Sequence, residues 1–109
     1  MIKIQEILSK NIAILHSDGL KVYNALTEEF ALRNEFSLSF ESIETCTTAF
    51  LNASIGKLLL NAPESVKKMK IIEASEDILK KIEWVKENAL NEAKRHAREE
   101  SMIEYLENA

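Results

Sequence analysis

Between Phe36 and Leu60 the chain alternates in polarity and then stops alternating. Phe36, Leu38 and Phe40 are separated by Ser37 and Ser39 and followed by Glu41, the two-residue period of a strand with one face on a core. Past Ile43 the apolar positions Phe50, Leu51, Ile55, Leu58 and Leu59 recur at helical spacing, so strand gives way to helix within Thr45–Thr48. A threonine there serves as N-cap, its oxygen accepting an N–H bond from the first turn. Ala49, Ala53 and Gly56 add a small-residue stripe that lets this helix lie close against a sheet.

The flanking segments arrange themselves around this unit. MIKIQEI, with Ile2 and Ile4 alternating against Lys3 and Gln5, reads as a first strand. Ser9–Lys10–Asn11 is a turn signal, and the apolar run Ile12–Leu15 after it completes a hairpin. His16, Ser17, Asp18 and Gly19 then feed a helix carrying Leu20, Val22, Tyr23, Leu26, Phe30 and Leu32, with Ser17 or Asp18 as N-cap and Asn34 as stop. The short handover to Phe36 suits a β-α-β crossover. Asn61–Ala62–Pro63 ends the central helix, because proline lacks the N–H and disfavours helix before it. Ser65–Lys68 reads as a single turn, and Met69, Ile71 and Ile72 as a last short strand. Ser75 caps a final helix with Glu76 and Asp77 in its first turn.

The final helix is out of proportion. Ile78, Ile82, Val85, Ala89, Ala93, Ala97, Ile103 and Leu106 hold one stripe, and no Gly or Pro interrupts Ser75–Ala109. At a rise of about 1.5 Å per residue it would run roughly 45–50 Å, longer than a domain of this size is wide. Its first half can cover the sheet and its second half cannot. The chain is therefore expected to divide into a domain at residues 1–87 and an extension at 88–109. Ala97, Met102, Ile103 and Leu106 are the candidate contacts to a second copy or a partner helix. The plain alternative is a solvated helix held by Glu–Lys and Glu–Arg pairs.

Composition narrows the function classes. One domain fits 109 residues, and 46% hydrophobic with 29% charged residues describes an ordinary globular chain. A net charge of −4 opposes a phosphate backbone, so nucleic acid is not the expected partner. The single cysteine allows no internal disulfide and fits a reducing cytoplasm. Neither a signal peptide nor the roughly 20-residue apolar run of a membrane span is visible.

Catalytic chemistry has little to build on. Cys46 and His16 are the one conceivable thiol–imidazole pair, and a lone cysteine at a strand–helix junction is more commonly a small buried residue. Glu92, His96 and Glu99 or Glu100 share a helical face, but without a second histidine this is the pattern of solvated i,i+4 pairs rather than a metal site. Glycine occurs only at Gly19 and Gly56, so there is no glycine-rich phosphate loop and no cofactor is expected.

SDGLKVYNAL, FSLSFESIETCTTAFLNASIGKLL and MKIIEAS, taken in order, resemble the STAS-like family DUF4325, related to the sulfate-transporter and anti-sigma-factor-antagonist fold. The resemblance spans about Ile2–Val85. It implies a small α/β domain with a mixed sheet of about four strands, helices packed on it, and here a long C-terminal helix. It also implies a cytoplasmic, non-enzymatic regulatory module that docks on a histidine-kinase-like ATPase and is switched by phosphorylation. Carried onto this chain, the phosphorylated hydroxyl falls at Thr47 or Thr48, and the binding face at Thr45, Phe50, Asn52 and Ser54. The chain departs from the family pattern in having Cys46, not an acidic residue, before Thr47, and one long helix in place of a further strand and helix. The rival is an assembly protein, possible as a homodimer, that joins through its C-terminal helix, the threonines being caps only.

Overall fold

Alternation at the N-terminus lasts only two residues. In the structure, a computed structural model that describes residues 1–33 and 35–108, with side chains described as far as Glu92, Ile2–Lys3 form strand β1 and Ile4–Leu8 a short helix, α1. Ile4, Ile7 and Leu8 stand at helical spacing, and turning them together onto the core outweighs continuing a strand that would expose Ile7 or Leu8. Ser9 closes α1 in the left-handed conformation (φ 57°), its N–H bonded to the Gln5 carbonyl at 2.8 Å. The expected hairpin is therefore absent. β2 (Ile12–Ala13) does not pair with β1 at all.

Every pairing among the described residues is parallel. β1, β3 (Phe36–Ser39) and β5 (Met69–Ile72) form one sheet in the order β1-β3-β5, with Ile2 opposite Leu38 and Leu38 opposite Ile71. β2 and β4 (Thr45–Cys46) form a second, with Ala13 opposite Cys46. The sheet of about four mixed strands is thus replaced by five parallel strands in two sheets. The reason lies in the turn after β3. Phe40 is still tied to β5, its N–H reaching the Ile72 carbonyl at 3.0 Å, but Ser42 adopts φ 63° and swings the chain away. Glu44 N–H then bonds the Asn11 carbonyl at 2.8 Å, starting a new ladder against β2.

The helices form the bulk of the core. α2 (His16–Leu32) buries Val22 and Leu26 and begins two residues earlier than expected, with Leu15 rather than Ser17 or Asp18 at its N-cap. Asp18 is instead buried in the first turn, its carboxylate 2.6 Å from the Lys10 ammonium. Asn34, the expected stop, lies outside the described residues. The central helix runs in three pieces: α3 (Thr48–Leu51), a π-helical turn at Asn52–Gly56, and α4 (Lys57–Asn61). The wider π turn keeps Phe50 and Leu51 before it, and Ile55, Leu58 and Leu59 within and after it, all in the core. Pro63 opens a 3₁₀ turn, Pro63–Lys67, that leads into β5.

α5 (Glu76–Asn108) is capped by Ser75, whose hydroxyl accepts the Ile78 N–H at 3.3 Å. Its inner face, Ile78, Ile82, Val85 and Ala89, packs on α3, the π turn and α4 rather than on a sheet. The small-residue stripe also serves helix–helix contact: Gly19 of α2 abuts Ala53, and Gly56 abuts Val85 of α5, while Ala49 is exposed. With each strand only two to four residues long, most of the buried apolar side chains come from the helices.

Candidate functional site

Between β4 and α3 the chain passes from extended to helical at Thr47. Its Oγ1 accepts the Phe50 N–H at 3.2 Å, the expected cap, and donates to the Ile14 carbonyl at 2.6 Å. The Thr47 N–H also reaches the Ala13 carbonyl at 3.0 Å. Thr47 is thus a structural joint between β2 and α3, both functions of its hydroxyl being engaged. Thr48, the first helical residue, is exposed, and its hydroxyl makes no hydrogen bond within the described residues.

The expected docking face is divided by burial. Thr45, on β4, and Asn52, at the start of the π turn, are exposed. Phe50 and Ser54 are fully buried, so neither is available to a partner in this conformation. Phe50 belongs to the central core, and the Ser54 hydroxyl donates back to the Phe50 carbonyl at 2.9 Å, satisfying itself locally inside the helix. Phe50 and Ser54, four residues apart, share the helix face that packs against α2 and α5, while Asn52, two residues from each, stays exposed.

Cys46 is buried beside this junction. Burial pushes its thiol up to about 11, with the Lys81 ammonium pulling weakly the other way. A thiol so raised is protonated at neutral pH and a poor nucleophile. His16 is exposed at the start of α2, and no hydrogen bond joins it to Cys46. His96, Glu99 and Glu100 of the metal alternative, and Ala97, Met102, Ile103 and Leu106 of the contact face, have side chains outside the described residues.

The long helix contributes more to this region than its sequence pattern signals. Lys81 Nζ donates to the Cys46 carbonyl at 3.0 Å and pairs with Asp77 at 3.2 Å, fastening the first turns of α5 to the end of β4. One turn on, Trp84 is 56% exposed beside the buried stripe. Farther along, Asn88, Ala89 and Glu92 face Asn52, Gly56 and Leu60 across a groove of about 280 Å³. Asn52 thereby connects the threonine end of the central helix to α5. Only Trp84, a large ring off the apolar stripe, carried a sequence signal for this.

Among the described residues no helix is long and apolar enough to cross a membrane. Neither the curated proteins nor the solved structures compared with the chain include a match. A family pattern does match, from residue 18 to residue 79, more than half of the sequence and the span that contains most of α2, the threonine junction, the central helix and β5. On that match, the chain belongs to the family described as STAS-like domain of unknown function, DUF4325.

Proposed function

We propose that this STAS-like domain is a non-enzymatic, cytoplasmic regulatory module that docks on a protein partner of the histidine-kinase-like ATPase kind through Thr45, Thr48 and Asn52, and that phosphorylation of Thr48 releases it. The observation that supports this reading is the contrast between neighbouring hydroxyls: Thr47 is consumed in the cap and the bond to Ile14, while Thr48 is exposed at the first position of the helix. A phosphoryl group there is favoured by the helix dipole and adds close to two negative charges, which would repel an acidic or apolar partner surface seated on it. The domain itself would stay folded. Thr47 is a weaker candidate, since modifying its hydroxyl would break two hydrogen bonds.

The test is threefold. Protein isolated from its native cells is mapped by mass spectrometry for phosphate, expected on Thr48. Wild type and Thr48→Glu are then used for affinity capture, and wild type alone is expected to retain an ATPase. Phosphate on neither threonine, together with equal capture by both proteins, overturns the reading.

A second reading has its own support. Among the described side chains, the last fully buried one that α5 supplies is Ala89, with Leu90 packed beside it, while the helix continues to Asn108 and the molecule measures 55 × 27 × 23 Å. Assembly through residues 93–108, as a homodimer or on a partner helix, would give that length a use. Sedimentation distinguishes it: removing residues 93–109 should turn a dimer into a monomer, and an unchanged monomeric mass for the full chain counts against it.

A further inference from the structure

Lys3, Lys10, Lys81 and Lys86 each lie within 4.0 Å of a carboxylate. Lys67, Lys68 and Lys70 behave differently. They line one cavity of about 290 Å³ with Glu35, Phe36 and Ser37, and none of the three forms an ion pair among the described residues. Three lysines against one glutamate in its lining make this an electropositive spot in a chain of net charge −4.

The site stands on rigid backbone. The Phe36 N–H bonds the Lys68 carbonyl at 2.9 Å, and Ser37 is opposite Lys70 in the β3–β5 register, so their side chains leave the sheet on the same face. The Lys68 ammonium lies 5.2 Å from the centre of the Phe30 ring, which restrains it. Lys67 ends the 3₁₀ turn that delivers the chain to β5. Like charges on neighbouring residues repel one another, and an anion among them would relieve that repulsion.

We propose that this cavity binds the phosphate groups of a small polyanionic ligand, with Lys67, Lys68 and Lys70 as counter-charges and the Ser37 hydroxyl as an additional donor. No arginine lines the cavity, and the planar fork that suits a single carboxylate is therefore missing. Lysine ammoniums are point charges, suited to the clustered oxygens of a phosphate chain. Phe36 is buried and offers no open ring face for a base, so recognition is of charge. None of the residues in the proposed docking face takes part.

The test titrates the ¹⁵N-labelled full chain with inorganic pyrophosphate at low salt, with inorganic phosphate and citrate as separate arms. Saturable amide shifts confined to residues 35–37 and 67–70 are expected, with pyrophosphate binding more tightly than either comparison anion. Lys67→Gln/Lys70→Gln should weaken pyrophosphate binding about tenfold or more, whereas Lys21→Gln/Lys80→Gln, removing the same charge elsewhere, should change it by less than about twofold. All four lysines are exposed, and dispersed amide spectra verify that each variant folds. Equal losses in the two double variants, citrate binding as tight as pyrophosphate, or no saturation by about 10 mM would each overturn the proposal.

Discussion

Gly19 of α2 lies so close to Ala53 of the central helix that a methyl group at position 19 would sit 2.6 Å from the Ala53 Cβ and 2.6 Å from the Phe50 carbonyl oxygen. In an open helix, alanine is favoured over glycine by about 1 kcal/mol. Here the sign reverses, because α2 and the central helix must separate to admit the methyl. Gly19→Ala should destabilise the fold by about 1–3 kcal/mol, read as a lowered urea midpoint with unchanged slope. A stabilised variant would mean that the two helices are not this close.

The buried Asp18 carboxylate depends on Lys10. Asp18 is 4% exposed, and Lys10 approaches it to 2.6 Å, off the direction of a good hydrogen bond. Lys10→Met leaves that charge without a counter-ion and should cost about 1–3 kcal/mol. Lys10→Met/Asp18→Asn should recover part of the loss, and a double-mutant cycle by denaturant unfolding measures how much.

Thr47 and Thr48 separate structural from exposed hydroxyls. Thr47→Val removes the cap and the bond to Ile14 and should cost about 1–2 kcal/mol. Thr48→Val should stay within about 0.5 kcal/mol of wild type, as expected for an exposed substitution. Paired thermal melts check both, and equal losses would remove the distinction on which the phosphorylation reading rests.

Cys46 links stability to alkaline pH. Its thiol is raised from 9.0 to about 11 by burial, so the native state holds a proton that the unfolded chain releases first. The contribution is fully present below pH 9 and is lost as pH rises toward 11. Relative to Cys46→Ala, in which the titration of all other groups is retained, wild type should lose about 1–3 kcal/mol across that interval. The measurement is a pair of denaturation series from pH 8 to pH 11. Below pH 8, iodoacetamide should modify native Cys46 far more slowly than it does in urea.

How much of this was legible beforehand depends on how far apart in the chain the deciding residues lie. The alternation of Phe36, Leu38 and Phe40, the break at Pro63, the Ser75 cap and the first part of the α5 stripe, Ile78 to Ala89, are all written in near neighbours, and each is where the pattern put it. The threonine cap was legible as well, although not which threonine. At the N-terminus, two residues of alternation carry no period to distinguish a strand from the start of a helix, so no local pattern announces α1.

By itself, then, the sequence determined a set of local units: one central strand, the apolar faces of α2, the central helix and the start of α5, the stop at Pro63, and the threonine and Ser75 caps, because backbone preference and side-chain period act within a turn or two. Tertiary structure alone decided that the strands pair in parallel across two sheets, since a parallel partner lies a whole crossover away and leaves no local mark. Tertiary structure likewise sealed Ser54 between α2 and α5, beside Phe50, which the helical apolar stripe itself places in the core. It also gathered Lys67, Lys68 and Lys70 beside Ser37, through a register set by backbone hydrogen bonds between segments about thirty residues apart.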